Sequence, residues 1–370
     1  MSLKKICFVF CLAALTAGCE NPEADSDAFG ADLARRGGVP NREWVPGCDS
    51  AGRADEKNPH CVDPARIELI SEDPRFVNLH SIATDGAYLY IGGSEADRQA
   101  RVWKLPIEGG EAVELYSRWW SNSTGGWAFA LEVTGGELFV VDPNSGRGTD
   151  TQILKGPVTG GARLQAIYTE HATPGMTSYD IIDGSGIATD GVNLFITDHV
   201  QGRVSRMRTD GTAPASLSSG RFGGFFDLEH RNTVAYLGST LFIADSADRG
   251  NCNCGSFTPE ILALPAAGGA FTSLYAGAPL VHPYDIEADP VTSRLVIVDA
   301  AAGNSVFVLD PLGRVLTTIH SGAPFTRAIG VAIHNGYAYI LDSGDYTDEQ
   351  TGASVNGPGR IFRLPLPQNM

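Results

Sequence analysis

The feature that most constrains this chain is a strand pattern that occurs six times between Asn78 and Leu366. Each unit has an apolar strand, a tight turn with Gly or Asp, a second strand that usually ends in Asp, and in most cases two further strands. A four-stranded unit repeated about every 40–50 residues is the pattern of a β-propeller. The first strands read HSIATD (80–85), AFALEV (128–133), GIATD (186–190), FDLEH (226–230), YDIEAD (284–289) and GVAIH (330–334).

One strand is missing from the last unit and is present before the first. Five units supply their own fourth strand, whereas the sixth stops directly after its third strand, RIFRLP (360–365). The segment RIELIS (66–71) matches the pattern of a fourth strand. We therefore expect an all-β fold over residues 65–370, a six-bladed β-propeller of four-stranded antiparallel blades, with the last blade closed by this N-terminal strand.

The first nineteen residues have the form of a bacterial export signal. Lys4 and Lys5 precede an apolar stretch (6–15) that is too short to span a bilayer, so residues 1–18 are read as a signal peptide. The residues LTAGC (15–19) resemble a bacterial lipobox, which implies cleavage before Cys19 and acylation of Cys19 by several chains, enough for stable anchoring. Glu20 then favours the outer membrane of the cell envelope. An ordinary secreted protein with a cysteine near its cleavage site is the alternative.

Residues 19–64 are expected to link the lipid to the propeller. They contain few large apolar residues, which predicts a tether, followed by a loop that cysteines close. An even number of remaining cysteines in an oxidising compartment predicts disulfides; these are Cys48, Cys61, Cys252 and Cys254. In the simplest pairing, Cys48 joins Cys61, and Cys252 and Cys254 form a small ring. In the alternative, Cys252 and Cys254 each pair with one of the two N-terminal cysteines. A metal site at 252–254 is a further alternative, although two thiols are few ligands for zinc.

Charge excludes one class of partner. The formal net charge is −16, and loss of Lys4 and Lys5 makes it more negative. Because nucleic-acid binding depends on clustered basic residues, we expect no nucleic-acid partner. We expect a monomer that meets the membrane through its N-terminal lipid.

Two kinds of known repeat resemble these units. The stretch NLFITDHVQGRVSRMRTDGT (193–212) resembles one repeat of the YWTD propellers, with FITD (195–198) at the motif that names them. The other units resemble NHL and gluconolactonase-type blades. The resemblance covers about Arg66–Leu366 and implies a six-bladed fold without selecting a subfamily.

The two faces of the predicted ring differ. With the strands of a blade called A to D in chain order, the AB and CD turns lie on one face, the AB/CD face, and are short. The BC loops and the DA connections between blades lie on the other, the BC/DA face, and several are long, which favours function there. Five aspartates end strand B on that face and are expected to hold loops through backbone hydrogen bonds, with an acidic ring as the alternative: Asp142, Asp198, Asp245, Asp299 and Asp342.

A catalytic site has weak support. In gluconolactonase and paraoxonase relatives, acidic and amide side chains at the start of strand A hold a calcium ion. Asp227 and Asp285 fit that resemblance as metal ligands, with His80 as a general base. Calcium is therefore the cofactor to test. The set is incomplete, because Asn-Gly pairs are missing from these strand starts and no Glu matches the first-blade ligand.

The sequence favours a binding or scaffold module for a protein or glycan partner on the BC/DA face. Exposed tryptophans can stack on sugars or anchor proteins, although packing between blades is the plainer reading. The residues proposed for this face are Trp119, Trp120, Trp127, Asp142, His199 and Asp345. The competing hypothesis is a calcium-dependent hydrolase or lactonase, or a lyase, at the mouth of the channel.

Overall fold

The structure is a computed structural model of the full chain. It describes residues 43–45, 60–94, 99–119, 130–143, 151–161, 163–170, 184–198, 202–218, 232–246, 258–344, 346–347, 354–355 and 357–367. Two strands precede the first blade, β1 (Glu43–Val45) and β2 (Glu68–Asp73), with a short 3-10 turn, Pro64–Arg66, between them. No helix in these ranges is long and apolar enough to cross a membrane.

Six four-stranded antiparallel sheets follow. The first three blades are built from β3 (Leu79–Thr84), β4 (Tyr88–Ser94), β5 (Gln99–Pro106) and β6 (Val113–Trp119); β7 (Ala130–Thr134), β8 (Glu137–Asp142), β9 (Gln152–Pro157) and β10 (Gln165–Thr169); β11 (Gly184–Thr189), β12 (Asn193–Asp198), β13 (Arg203–Arg208) and β14 (Ala215–Ser216).

The last three blades complete the ring. Blades four and five are β15 (Asn232–Leu237), β16 (Thr240–Asp245), β17 (Glu260–Pro265) and β18 (Thr272–Ala276); β19 (Pro283–Asp289), β20 (Arg294–Asp299), β21 (Ser305–Asp310) and β22 (Val315–His320). Blade six has β23 (Ala328–His334), β24 (Tyr337–Asp342) and β27 (Gly359–Pro365), with a hairpin of β25 (Tyr346–Thr347) and β26 (Ser354–Val355) inserted in its BC loop.

The ring is closed as the missing strand predicts. β2 pairs antiparallel with β27, so that Glu68 lies opposite Arg363 and Asp73 opposite Gly359. Strands A of neighbouring blades contact one another around the ring, including β23 against β3. The six-bladed all-β prediction and the N-terminal closing strand are confirmed.

Glycine at the CD turns lets each blade lie close against the outer strand of the blade before it. Gly211, at φ +84°, is so near the carbonyl oxygen of Ile167 in blade two that an added Cβ would stand 2.0 Å from it. Gly109, at φ +90°, makes the same approach to the carbonyl of Ile70, 2.6 Å from an added Cβ. Only glycine fits such a turn without strain. Because Ile70 belongs to β2, the N-terminal strand takes the place that β10 has in blade two.

An ion-pair network also fastens the closing strand. Arg363 of β27 donates to Glu68 of β2 at 2.6 Å and to Glu108 in the CD turn of blade one at 2.5 Å. Apolar side chains fill the spaces between neighbouring blades, and the largest cluster joins blades five, six and one around Trp103, Phe362 and Val308.

Two features differ from the sequence predictions. Strand A of blade four is Asn232–Leu237, not 226–230. Two residues lie between the end of NTVAYL and the start of β16, as a tight AB turn requires, whereas nine would lie between FDLEH and β16. In addition, β1 pairs parallel with β22 as a fifth strand of blade five, inside the region predicted as tether. The domain boundaries at residues 1–18, 19–64 and 65–370 otherwise remain predictions.

Candidate functional site

The A strands of all six blades enclose a central channel. The channel holds a cavity of about 270 Å³. Most of its wall is apolar or small, but besides Tyr236 four ionisable side chains border it: His80, Glu132, Asp285 and Glu287. No Lys or Arg is among the described residues that line it. The cavity is therefore acidic in character.

Two of these acids occupy equivalent places in opposite blades. Glu132 lies opposite Phe139 in the AB register of blade two, and Glu287 lies opposite Val296 in that of blade five. Blades two and five stand across the ring from each other, because two blades lie between them on either side in a ring of six. The other four blades have a buried alanine at this position: Ala83, Ala188, Ala235 and Ala332.

Partial burial in the channel wall raises the pKa of both glutamates. It raises the pKa of Glu132 from 4.5 to about 8, against a lowering effect of the Val133 N–H, which donates to Oε1 at 3.0 Å. Burial raises the pKa of Glu287 as well, and the negative charges of Glu132 and Asp285 raise it further. A carboxyl group that stays protonated near neutral pH can donate a hydrogen bond or act as an acid. Sequence reasoning missed this pair; its signal was Glu within two A strands whose counterparts carry Ala.

The predicted catalytic residues do not all come together. His80 is buried in β3 and borders the channel. Asp285 borders it too, but its Oδ2 accepts the backbone N–H of Val331 in the next blade at 2.9 Å. Asp227 lies outside the described residues, and the prediction that strand A of blade four carries it is wrong. Thr233, which lines the channel, has the place in blade four that Asp285 has in blade five.

Buried aspartates hold the connections on the BC/DA face. Asp299, at the end of β20, accepts the N–H groups of Val281 and His282 from the connection that enters its own blade, at 2.8 and 2.9 Å. It also accepts the N–H of Ala302 in the BC loop at 2.9 Å. Burial raises the pKa of Asp299, and these N–H donors oppose that effect.

Asp342 repeats this arrangement in blade six. Its Oδ1 accepts the N–H groups of Thr326 and Arg327 at 2.9 and 2.6 Å, and its Oδ2 receives the guanidinium of Arg360. Burial raises the pKa of Asp342, while Arg327 N–H and Arg360 oppose the rise. Asp299 and Asp342 thus act as the loop-holding residues that the sequence indicates.

These fixed connections bring three side chains together at the BC/DA end of blades five and six. His282 directly precedes β19 and Tyr284 is the second residue of that strand, with ring centroids 4.6 Å apart. Arg327 from the next blade donates to Tyr284 Oη at 2.7 Å, and its guanidinium carbon lies 5.3 Å from the centroid of that ring. We call His282, Tyr284 and Arg327 the mouth cluster. It sets a cation against the buried ring of Tyr284 across the boundary between two blades.

The other predicted binding residues are described only in part. Trp119 is the last residue of β6, opposite Gln99, and not part of the following connection. Asp142 ends β8 with a buried side chain. Trp120, Trp127, His199 and Asp345 lie outside the described residues, as do Cys19, Cys48, Cys252 and Cys254. Cys61 is half of a disulfide, and its pairing with Cys48 stays a prediction.

Metal ligands are not grouped in the described ranges. There, no three His, Cys, Asp or Glu side chains are placed to hold a metal ion together. The calcium hypothesis stays a prediction, because Asp227 falls outside those ranges.

Comparison with known proteins identifies the fold. No family model and no curated protein matches the chain. Among solved structures it is similar to luciferin-regenerating enzyme (14% identity, TM-score 0.55, 81% of this chain and 94% of that one). It is also similar to a protein of unknown function from Bacteroides thetaiotaomicron, with 11% identity and a TM-score of 0.56 over 80% of this chain and 75% of that one. A chain of a nidogen/laminin complex is a further match, with 18% identity and a TM-score of 0.49 over 70% of this chain and 92% of that one. At these identities the likeness concerns the fold alone, and the chain is a six-bladed β-propeller.

Proposed function

We propose that this protein is a lipid-anchored binding module of the bacterial cell envelope that recognises a protein or glycan through its BC/DA face. One observation carries the proposal: Asp299 and Asp342 fasten two successive connections on this face through pairs of backbone N–H groups. A surface that is rigid before binding loses little conformational entropy when a partner arrives. The opposite face consists of short turns.

The mouth cluster supplies the chemistry for recognition. Arg is enriched among residues that dominate binding energy. The Arg327 guanidinium is partly exposed and is held in place by the hydroxyl of the buried Tyr284. Val281, next to the cluster, is 54% exposed and adds apolar surface. Trp119 ends its strand on the same face, in keeping with the role proposed for it together with Trp120 and Trp127.

The lipid anchor is supported by the sequence of residues 1–19. A positive start, a short apolar stretch and LTAGC are together the pattern of an acylated lipoprotein. The proposed site of the anchor is Cys19 in the outer membrane.

Replacement of Arg327 by Ala tests the binding face. The purified chain would be screened against an array of envelope glycans and against purified envelope proteins, and each affinity measured by calorimetry. We expect Arg327→Ala to weaken the selected interaction roughly tenfold or more, because the guanidinium and its hold on Tyr284 are lost. Arg208→Ala, an exposed arginine at the AB/CD end of β13, is the matched control and should bind as wild type. Equal affinities of all three proteins would contradict the proposal.

A second candidate is an enzyme of the channel, a hydrolase, lactonase or lyase. It is favoured by Glu132 and Glu287, since buried carboxyls with raised pKa are frequent general acids. Turnover of lactone or ester substrates by wild type, with loss in Glu287→Gln at unchanged stability, would select this candidate over the binding module.

A further inference from the structure

The N-terminal end of β1 lies on the AB/CD side of the propeller. Strand β22 begins at Val315, directly after the CD turn of blade five, and runs towards the BC/DA face. β1 lies parallel to it, with Glu43 opposite Val315 and Val45 opposite Thr317. Because the pairing is parallel, Glu43, the N-terminal residue of β1, lies at the AB/CD end of blade five.

The same end of blade five carries two protruding apolar side chains. Leu312 in the CD turn is 92% exposed, and Val291 in the AB turn is 82% exposed. Leu312 stands only three residues before Val315, the partner of Glu43 in β1. The N-terminal end of β1 is therefore beside an exposed apolar tip.

The length of the N-terminal arm, the segment from Cys19 to Glu43, limits how the propeller can turn. Twenty-four positions separate Cys19 from Glu43, and a flexible chain of that length has a root-mean-square span of roughly 27 Å. A domain of about 300 residues has a radius of gyration of roughly 19 Å and hence a width of about 50 Å. The arm is thus short compared with the body that it holds.

We propose that the AB/CD face of the propeller is turned towards the bilayer, with Leu312 and Val291 in contact with the lipid surface, and that the BC/DA face points away. This inference rests on the proposed acylation of Cys19. An exposed Leu or Val that lies on a bilayer removes apolar area from water. The proposed binding face is then presented to partners and not to the membrane.

Spin labels at two exposed positions test this orientation. Leu312→Cys and the matched control Val281→Cys, which is at the BC/DA end, would each be labelled in the acylated full-length protein on vesicles of phosphatidylcholine and phosphatidylglycerol. Power saturation compares collision with oxygen, which concentrates in lipid, and with a water-soluble nickel chelate. We expect the label at 312 to gain oxygen contact and lose nickel contact relative to the protein without vesicles. We expect the label at 281 to keep its aqueous values.

The other outcomes contradict the inference, and they separate a wrong orientation from a missing lipid anchor. If the label at 281 is protected, or if both labels keep aqueous values on vesicle-bound protein, the orientation is wrong while the anchor stands. If the acylated protein does not float with the vesicles, the anchor itself is wrong and the orientation fails with it. The unacylated Cys19→Ala protein labelled at 312 gives the baseline for free collision.

Discussion

Glu132 and Glu287 stand where the remaining blades have alanine, and each places a carboxyl group in a channel wall without basic residues in its described part. Removal of a carboxyl group from water disfavours its charged form, and a second negative charge across the channel disfavours that form further. The two groups therefore titrate as a pair, and the pair keeps at least one proton over a wide pH range. Such an arrangement lowers stability at alkaline pH, which gives it a measurable signature.

The pH dependence of unfolding is the expected signature. Because the folded-state pKa of Glu132 is raised from 4.5 to about 8, the folded protein binds more protons than the unfolded chain between these values. The free energy of unfolding should then decrease as the pH rises through that window, by at most about 1.4 kcal/mol per pH unit for one group, and by less because channel water reaches the side chain. Urea unfolding of Glu132→Gln should show a shallower decrease.

The exposed Glu111→Gln serves as the control for that measurement, since its side chain lies in a solvated CD turn. It should reproduce the slope of the wild type. A Glu132→Gln profile parallel to that of wild type would show that this carboxyl does not hold a proton in the folded state.

At the level of strands, the two N-terminal elements were unequally predictable. β2 was foreseeable because the last blade lacked a strand and RIELIS matched the pattern of the missing one. β1 was not, since EWV is three residues long, stands between prolines at 40 and 46, and pairs with an outer edge that needs no partner. In blade four, residue type favoured FDLEH as strand A, whereas the spacing to the AB turn favoured NTVAYL, which is the strand that forms.

The mouth cluster could not be predicted from the sequence, because Tyr284 and Arg327 meet only across a blade boundary.

Removal of β2 tests what closes the ring. A chain that begins at Pro74 should expose the edge of β27 and lose the Arg363 ion pairs with Glu68. We expect a fall in melting temperature of roughly 10 °C or more together with association of chains through the free edge. Calorimetry and light scattering would measure both. A chain that begins at Glu43 keeps both N-terminal strands and should match the full mature protein; identical behaviour of the two truncations would refute the closing role of β2.

The molecule as a whole is an acidic ring on a proposed lipid tether. Strands A touch around the full circle, and β2 pairs with β27 in blade six, so the propeller is one continuous body. With a formal net charge of −16 it should stay dispersed in water once detached. Under the proposed function, its attachment to the membrane depends on acylation of the Cys19 sulfur atom.

Replacement of Cys19 by Ala should release the protein. Without the thioether-linked chains nothing among residues described here spans a bilayer, and two apolar tips are too few for stable attachment. Fractionation of cells that produce wild type and Cys19→Ala, followed by immunoblotting, measures the distribution. Persistence of Cys19→Ala in the membrane fraction would show that another element holds it there, and Ala17→Gly, a small-for-small change beside the cleavage site, is the control that should stay anchored.

Closure by β2 also orders events during biosynthesis. Its partner strand lies at the far end of the chain, with 295 positions between Glu68 and Arg363. β2 therefore has no strand to pair with until Gly359–Pro365 has been translated. The ring is completed only by this pairing between residues far apart in sequence, and such contacts form slowly. The ring therefore stays open until its last strand has been translated, and under the proposed export to the envelope a translocation channel would meet a propeller that is not yet closed.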